Sequence, residues 1–196
     1  LSPGCHDVTL TAYNDYGYNT ITKPCAISIP QSEGCTELFI SEYVDHSMGD
    51  AIELFNPKST SINLAEYSIA MYQNGAMVPT ASQTLSGSLQ GHGVFVISSP
   101  LTTMGSISDA SDLVSPITQF DGNDAIALMH NGVIIDLIGQ IGIEPLTGWD
   151  FGSNYTPNGS TFIRKQTSDR PETNWSVSAL QWDLFFDFFY SHQLGI

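Results

Sequence analysis

The chain has 196 residues, with 20 acids against 5 bases and a formal net charge of −15, yet 41% of it is hydrophobic and only 13% charged. That apolar content excludes a disordered acidic tail, and the length suits one domain with part of another. The charge excludes a broad face that tracks nucleic-acid phosphates, which depends on Lys and Arg, and equally a dock on an anionic membrane. No apolar run approaches the roughly 18–20 residues that span a bilayer.

Residues 1–29 read as a β-hairpin. Residues 8–13, Val-Thr-Leu-Thr-Ala-Tyr, alternate as a half-buried strand does. Asn14, Asp15, Tyr16 and Gly17 supply turn chemistry, and residues 18–22 return. A two-residue turn at Asp15 and Tyr16 pairs Asn14 with Gly17. Continued down the ladder, it sets Cys5 opposite Ala26 and so beside Cys25. Cys5, Cys25 and Cys35 are the three cysteines, so any single disulfide leaves one thiol over. Cys5–Cys25 is the preferred pairing, and a disulfide would imply an oxidising compartment. The first ten residues lack the basic and apolar regions of a signal peptide, and the chain is expected to be a fragment of a larger, processed protein. Residues 30–36, with Pro30 and Gly34, are expected to be a linker.

From residue 37 on, short strands alternate with turn residues, the pattern of an all-β sandwich. Strands are expected at 38–44, at 51–56 with Pro57 ending the ladder, and at 67–72 running into Asn74-Gly75. A buried central strand is expected at 94–97. Residues 125–129, the turn Asn131-Gly132 and residues 133–138 form the clearest hairpin, because Asn-Gly favours a type I′ turn. A further strand is expected at 161–164, and a single helical turn near 108–113. Gly139 and Gly142 mark a bulge or a close approach of backbone.

Two resemblances emerge from these pieces. Residues 8–14 with Gly17 resemble the last strands of a PKD-type immunoglobulin-like domain. Residues 38–43, 51–57, 63–69, 85–89, 120–128 and 135–142, in that order and spacing, resemble a lamin-tail domain of bacterial secreted proteins, over roughly 37–190. The second implies an immunoglobulin-like β-sandwich of lamin-tail type and a non-catalytic module. It also suggests that Trp182 and the run after it close the sandwich. The expected division is therefore 1–29, closing strands of a PKD or immunoglobulin-like domain; 30–36, linker; and 37–196, lamin-tail-like sandwich.

Chemistry is sparse. Asp109 with Asp112, and Asp121 with Asp124, are spaced as loop acids that could offer oxygen ligands to Ca²⁺, but neither pair has EF-hand order. Turn-capping acids are the plainer reading. Glu42 and Glu53 fall on adjacent strands and could pair as carboxylates, although edge-facing polar positions are expected. His6, His46, His92, His130 and His192 lie far apart and are expected on surfaces and turns. No nucleophile elbow or phosphate loop is present. Arg164, Lys165 and Arg170 could gather into a small anion patch, or balance an acidic strand end. Phe185, Phe186, Phe188, Phe189 and Tyr190 either close the core or dock on a neighbouring domain or chain.

The reading is a structural or interaction module, a spacer or adhesion element, in a large secreted or cell-surface multidomain protein. The alternative is an accessory, substrate-positioning domain of a secreted hydrolase such as a nuclease whose catalytic domain lies elsewhere. No enzyme activity and no cofactor are expected, with Ca²⁺ the one ion the acids could take. The expected partners are neighbouring domains of the same polypeptide or another surface or secretion protein, with no direct nucleic acid and no membrane.

Overall fold

The computed structural model describes residues 4–29, 37–151, 159–168, 170–185 and 193–195. The chain divides into two compact units, Leu1–Gly34 and Cys35–Ile196. Among the described residues no helix is long and apolar enough to cross a membrane.

The first unit is one hairpin, β1 (Gly4–Asn14) against β2 (Gly17–Ile29). The turn falls at Asp15 and Tyr16, with Asn14 Oδ1 accepting from the Tyr16 N–H at 2.9 Å. From Asn14↔Gly17 to Val8↔Lys23 the register is the expected one. Below that, Asp7 stands against Pro24, Cys25 and Ala26. Pro24 has no N–H to give a ladder, Cys25 adopts φ 49°, and its N–H turns to the Asp7 carboxylate at 2.8 Å. This bulge sets Cys5 opposite Ser28, which corrects the expected Cys5–Ala26 pairing. Cys25 is disulfide-bonded; the Cys5 side chain and Cys35 lie outside what is described, as do linker residues 30–36.

The two faces of the hairpin differ in chemistry. One carries Val8, Leu10 and Ile21, all exposed. The other is lined with hydroxyls: Thr9 bonds Thr22 at 2.8 Å, Thr11 bonds Thr20 at 3.1 Å, and Tyr13 packs on Tyr18.

The second unit is an all-β, immunoglobulin-like sandwich. In chain order it holds β3 (Phe39–Val44), β4 (Ala51–Phe55), β5 (Ile62–Asn63), β6 (Tyr67–Tyr72), β7 (Ala81–Thr84), β8 (Ser88–Leu89) and β9 (Val94–Ser98). Then follow α1 (Gly105–Ala110), β10 (Leu113–Val114), β11 (Ala125–His130), β12 (Val133–Ile138), β13 (Thr161–Arg164), α2 (Trp175–Ser178) and β14 (Trp182–Phe185). One sheet runs β10-β9-β4-β3-β13-β14, the other β12-β11-β6-β7, and β5 pairs with β8 in a short ribbon. Val94–Ser98 lies inside the larger sheet between β10 and β4, with Val96, Ile97 and Ser98 buried, while Val94 and Phe95 are half-buried. Apolar side chains of both sheets, among them Ile40, Ile52, Leu54, Ile97 and Phe162 against Ile69, Ile126 and Leu128, share one core. Trp182 and Leu184 join it, so β14 does close the sandwich.

Punctuation residues are placed by specific bonds. The Asn56 amide, fully buried, donates to the carbonyls of Thr60, Leu89 and Gln90 and accepts from Lys58 N–H, so it organises the two loops beside it. Gly139 has φ 80°, and a Cβ there would overlap the Trp149 indole. The close approach expected from the sequence is therefore real.

The two sheets are pinned by one buried ion pair. The Arg164 guanidinium, on β13, meets Asp136, on β12, at 2.6 Å, with side-chain exposures of 1% and 0%. Pairing of β13 with β3 ends at Ile163↔Glu42, and β3 bulges between Ile40 and Glu42. The freed Ile40 main chain turns inward: its N–H donates to Asp136 Oδ2 and its carbonyl accepts from Arg164 Nε, both at 2.9 Å. Asp136 Oδ1 accepts from the Glu172 and Leu137 N–H groups. The guanidinium also donates to the Gln181 side chain and lies 4.3 Å over the Trp182 ring. Burial pushes the Asp136 carboxyl up, while the guanidinium and the N–H donors pull it down. Arg164 is therefore part of the core and not of an anion patch. Lys165 donates to the Leu180 carbonyl and Arg170 is exposed, so the three bases do not gather on one surface.

Removing one partner of such a pair strands a buried charge, at a cost of about 3–5 kcal/mol. Asp136→Asn and Arg164→Met should each lower the unfolding free energy of the sandwich by that order. A loss under about 1 kcal/mol in urea titration would show that the pair does not hold the sheets.

Candidate functional site

The most unusual chemistry lies on the outer face of the larger sheet. Glu42 on β3 and Glu53 on β4 are directly opposite each other, and they are 1% and 5% exposed. This overturns the expectation of edge-facing polar positions: β3 and β4 are interior strands covered on both faces. The cover comes from α1 and from Gln193, Leu194 and Gly195. Leu194 packs with Val44, Ala51, Val96 and Ile107 in a small second core. Gln193 N–H donates to both Glu42 oxygens, at 3.0 and 2.9 Å, and Gly195 N–H donates to Glu53 Oε2 at 2.7 Å. Ser41 Oγ donates to Glu53 Oε1 at 2.7 Å.

Burial pushes the Glu42 carboxyl up to about 8, against the pull of the Gln193 N–H and with a smaller push from Glu53. Glu53 is also raised, by burial first. Two carboxylates packed this closely and shielded from water resist double ionisation. They could serve as acid and base, but Gln193, Leu194 and Gly195 cover them from any substrate.

The four aspartates considered for calcium separate into different roles. Asp109 is exposed on α1. Asp112 exchanges bonds with Val96, its N–H donating to the carbonyl and its carboxylate accepting the N–H, both at 2.9 Å, which finishes the β9–β10 edge. Asp124 is buried and accepts from Asn74 N–H at 3.0 Å, and Asp121 lies exposed nearby. Asp45 accepts from Gly159 N–H at 2.9 Å. Burial raises both Asp45 and Asp124, and Asp121 adds to the push. Asp50, which accepts from His46 N–H, is raised to about 7 by burial. Burial first, then the charges of Asp45, Asp50, Asp124 and Asp121, raise the Tyr43 hydroxyl, which is buried with no hydrogen-bond partner among the described residues, its ring stacked between Phe120 and Phe162. Among the described residues, no three His, Cys, Asp or Glu side chains converge in a geometry that could hold a metal ion.

His130 departs from the expected surface role. Its ring stacks on Tyr67 with centroids 4.3 Å apart. Its Nδ1 lies 3.1 Å from Glu37 and its Nε2 3.2 Å from Glu66. The Tyr67 hydroxyl donates to Glu37, and burial with that bond holds it above its usual range. The arrangement ties residue 37, where the sandwich begins, to the smaller sheet. Of the aromatic run, Phe185 ends β14 and is partly exposed, and Phe186, Phe188, Phe189 and Tyr190 lie outside the described residues.

Sequence reasoning reached Glu42 and Glu53 but not their cover, because Gln193, Leu194 and Gly195 carry no signal of their own. It missed Glu37 and Glu66 as partners of His130 for the same reason, since the three meet only through the fold.

Protonation links the carboxyl pair to stability. Folded, Glu42 keeps its proton to about pH 8; unfolded, to about pH 4.5. Between those values the native state binds more protons, so stability falls as pH rises through the window. The raised Glu53, Asp45, Asp50 and Asp124 act in the same direction. The thermal midpoint is expected to drop from pH 5.5 to pH 8.5, and Glu42→Gln is expected to flatten that slope. A midpoint that climbs over the same range would refute the protonated pair.

A family model described as the Lamin Tail Domain matches residues 31–142. All six segments quoted above for the lamin-tail resemblance fall within that span. The match ends before β13 and β14, the strands that complete the larger sheet. No curated protein and no solved structure matches the chain. With the match covering more than half its length, on an immunoglobulin-like sandwich, the chain belongs to the lamin tail domain family.

Proposed function

We propose that the chain is a non-catalytic structural and interaction module, a spacer or adhesion element, of a large secreted or cell-surface multidomain bacterial protein. The observation that carries this reading is the use made of the buried carboxylates. Asp136, Glu42, Glu53, Asp45 and Asp124 each accept main-chain N–H groups that hold the fold. A catalytic carboxylate must instead come within hydrogen-bond reach of a substrate group, and burial beneath the chain's own segments denies these side chains that access.

The hairpin supports the multidomain part of the reading. A two-stranded ribbon is marginal alone in water, and the exposed Val8, Leu10 and Ile21 give it an apolar face that suits packing in a sheet sandwich. It is read as the closing strands of a PKD-type immunoglobulin-like domain. The disulfide at Cys25 supports an oxidising, extracytoplasmic setting, with Cys5 the proposed partner. The partners are neighbouring domains of the same polypeptide, and the partly exposed Phe185 with the run that follows it is the proposed contact with one of them. The acidic surface disfavours nucleic acid as a direct ligand.

Purified chain is expected to show no turnover of DNA, ester or glycoside substrates; activity that survives repurification and tracks the folded protein would overturn the non-catalytic reading. Non-reducing peptide mapping should recover Cys5 linked to Cys25. Recovery of Cys25 linked to Cys35 would reject the pairing and with it the staple across the hairpin.

A further inference from the structure

The carboxyl pair on the outer face recognises main chain. Gln193 and Gly195 are held through their N–H groups, which any residue but proline supplies. Only Leu194 enters an apolar recess, bounded by Val44, Ala51, Val96 and Ile107. Among the described residues the contact consists of two N–H groups bonded to the carboxyls and one leucine. Its strength therefore depends on the two acceptors beneath it, which face each other across adjacent central strands. Among the described residues the ion pairs involve neither Glu42 nor Glu53. The charged groups near them are Asp112, whose field acts on Glu53, and Lys165, which borders the same depression as Gln193 but gives its ammonium to the Leu180 carbonyl. His192 is next to Gln193 in sequence.

We propose that the outer face of β3, β4 and β9 is a proton-gated seat for an extended peptide segment bearing one leucine-sized side chain. Gln193, Leu194 and Gly195 fill it within this chain, and the segment leaves when the facing carboxyls become doubly ionised. With the segment seated, both carboxyls are sealed from water, and a proton on the pair removes the repulsion between them. When the segment lifts, both side chains meet water and ionise freely, so proton loss and departure are the same equilibrium. The raised Glu42 value, about 8, places the transition on the alkaline side of neutrality. Release bares Val44, Ala51, Val96 and Ile107 as an apolar strip with two carboxylate acceptors, a surface suited to another extended segment.

The test is amide exchange on the full 196-residue chain, ¹⁵N-labelled, at pH 6 and pH 9, normalised to unstructured-chain rates. Protection at Gln193 and Gly195 should fall at least about tenfold from pH 6 to pH 9, while amides of β4 and β11 keep theirs. Glu42→Gln, which retains the shape and an acceptor oxygen but cannot ionise, should keep the two amides equally protected at both pH values; Glu53→Gln serves if that variant fails to fold. Leu194→Asp should abolish their protection at both pH values and leave the β4 and β11 amides unchanged. Equal protection at pH 6 and pH 9 in the unsubstituted chain overturns the gate, as does a Gln variant that retains the pH-dependent fall. Protection that survives Leu194→Asp overturns the seat.

Discussion

The sandwich depends on a charge pair placed where the two sheets meet. Arg164 and Asp136 come from different sheets, and neither is accessible to water. A pair so deeply buried contributes little relative to a well-packed apolar substitute, but each half makes the other indispensable. Its geometry explains several local features at once. The bulge in β3 near Ser41 releases the Ile40 main chain to bond both partners. The Glu172 N–H reaches the same carboxylate, and Trp182 supplies the aromatic face for the guanidinium. The segment before α2 and the closing strand β14 are thus organised around one point.

The same constraint recurs on the outer face with the sign changed. Glu42 and Glu53 have no cation to neutralise them among the described ion pairs, so protonation and main-chain N–H donors take that role. The pair can be buried because Gln193, Leu194 and Gly195 supply donors together with an apolar side chain that excludes water. The net charge of −15 therefore has two parts. Most acids are surface residues that keep the molecule charged and dispersed. A smaller set, Glu42, Glu53, Asp45 and Asp124, is placed internally with proton affinity raised by burial.

Legibility followed the range of the forces involved. Strands Tyr67–Tyr72, Val133–Ile138 and Thr161–Arg164 were readable to the residue because alternation and the Asn131-Gly132 turn are local signals. β7 was not, since Ala-Ser-Gln-Thr holds a single branched residue and no aromatic, and it lies at a sheet edge, its order imposed by β6. The hairpin register held from the turn to Val8 and failed at Pro24, where a missing N–H and the positive φ of Cys25 insert extra residues. Arg164 read as a surface base because charge is the whole of its local signal; only the approach of Asp136, 28 positions away, makes it a core residue.

By itself, then, the sequence determined the class of the molecule: strand periodicity and turn chemistry make an immunoglobulin-like sandwich, and six ordered segments give the lamin-tail resemblance. Tertiary structure alone decided what the charged residues do. A strand such as Ile-Glu-Leu-Phe presents its glutamate to one face whether that face is wet or dry. The cover that makes it dry arrives from a segment more than 140 positions away. Burial, which sets both the pairing of Arg164 and the protonation of Glu42, is a property of surfaces brought together by folding, and no local pattern encodes it.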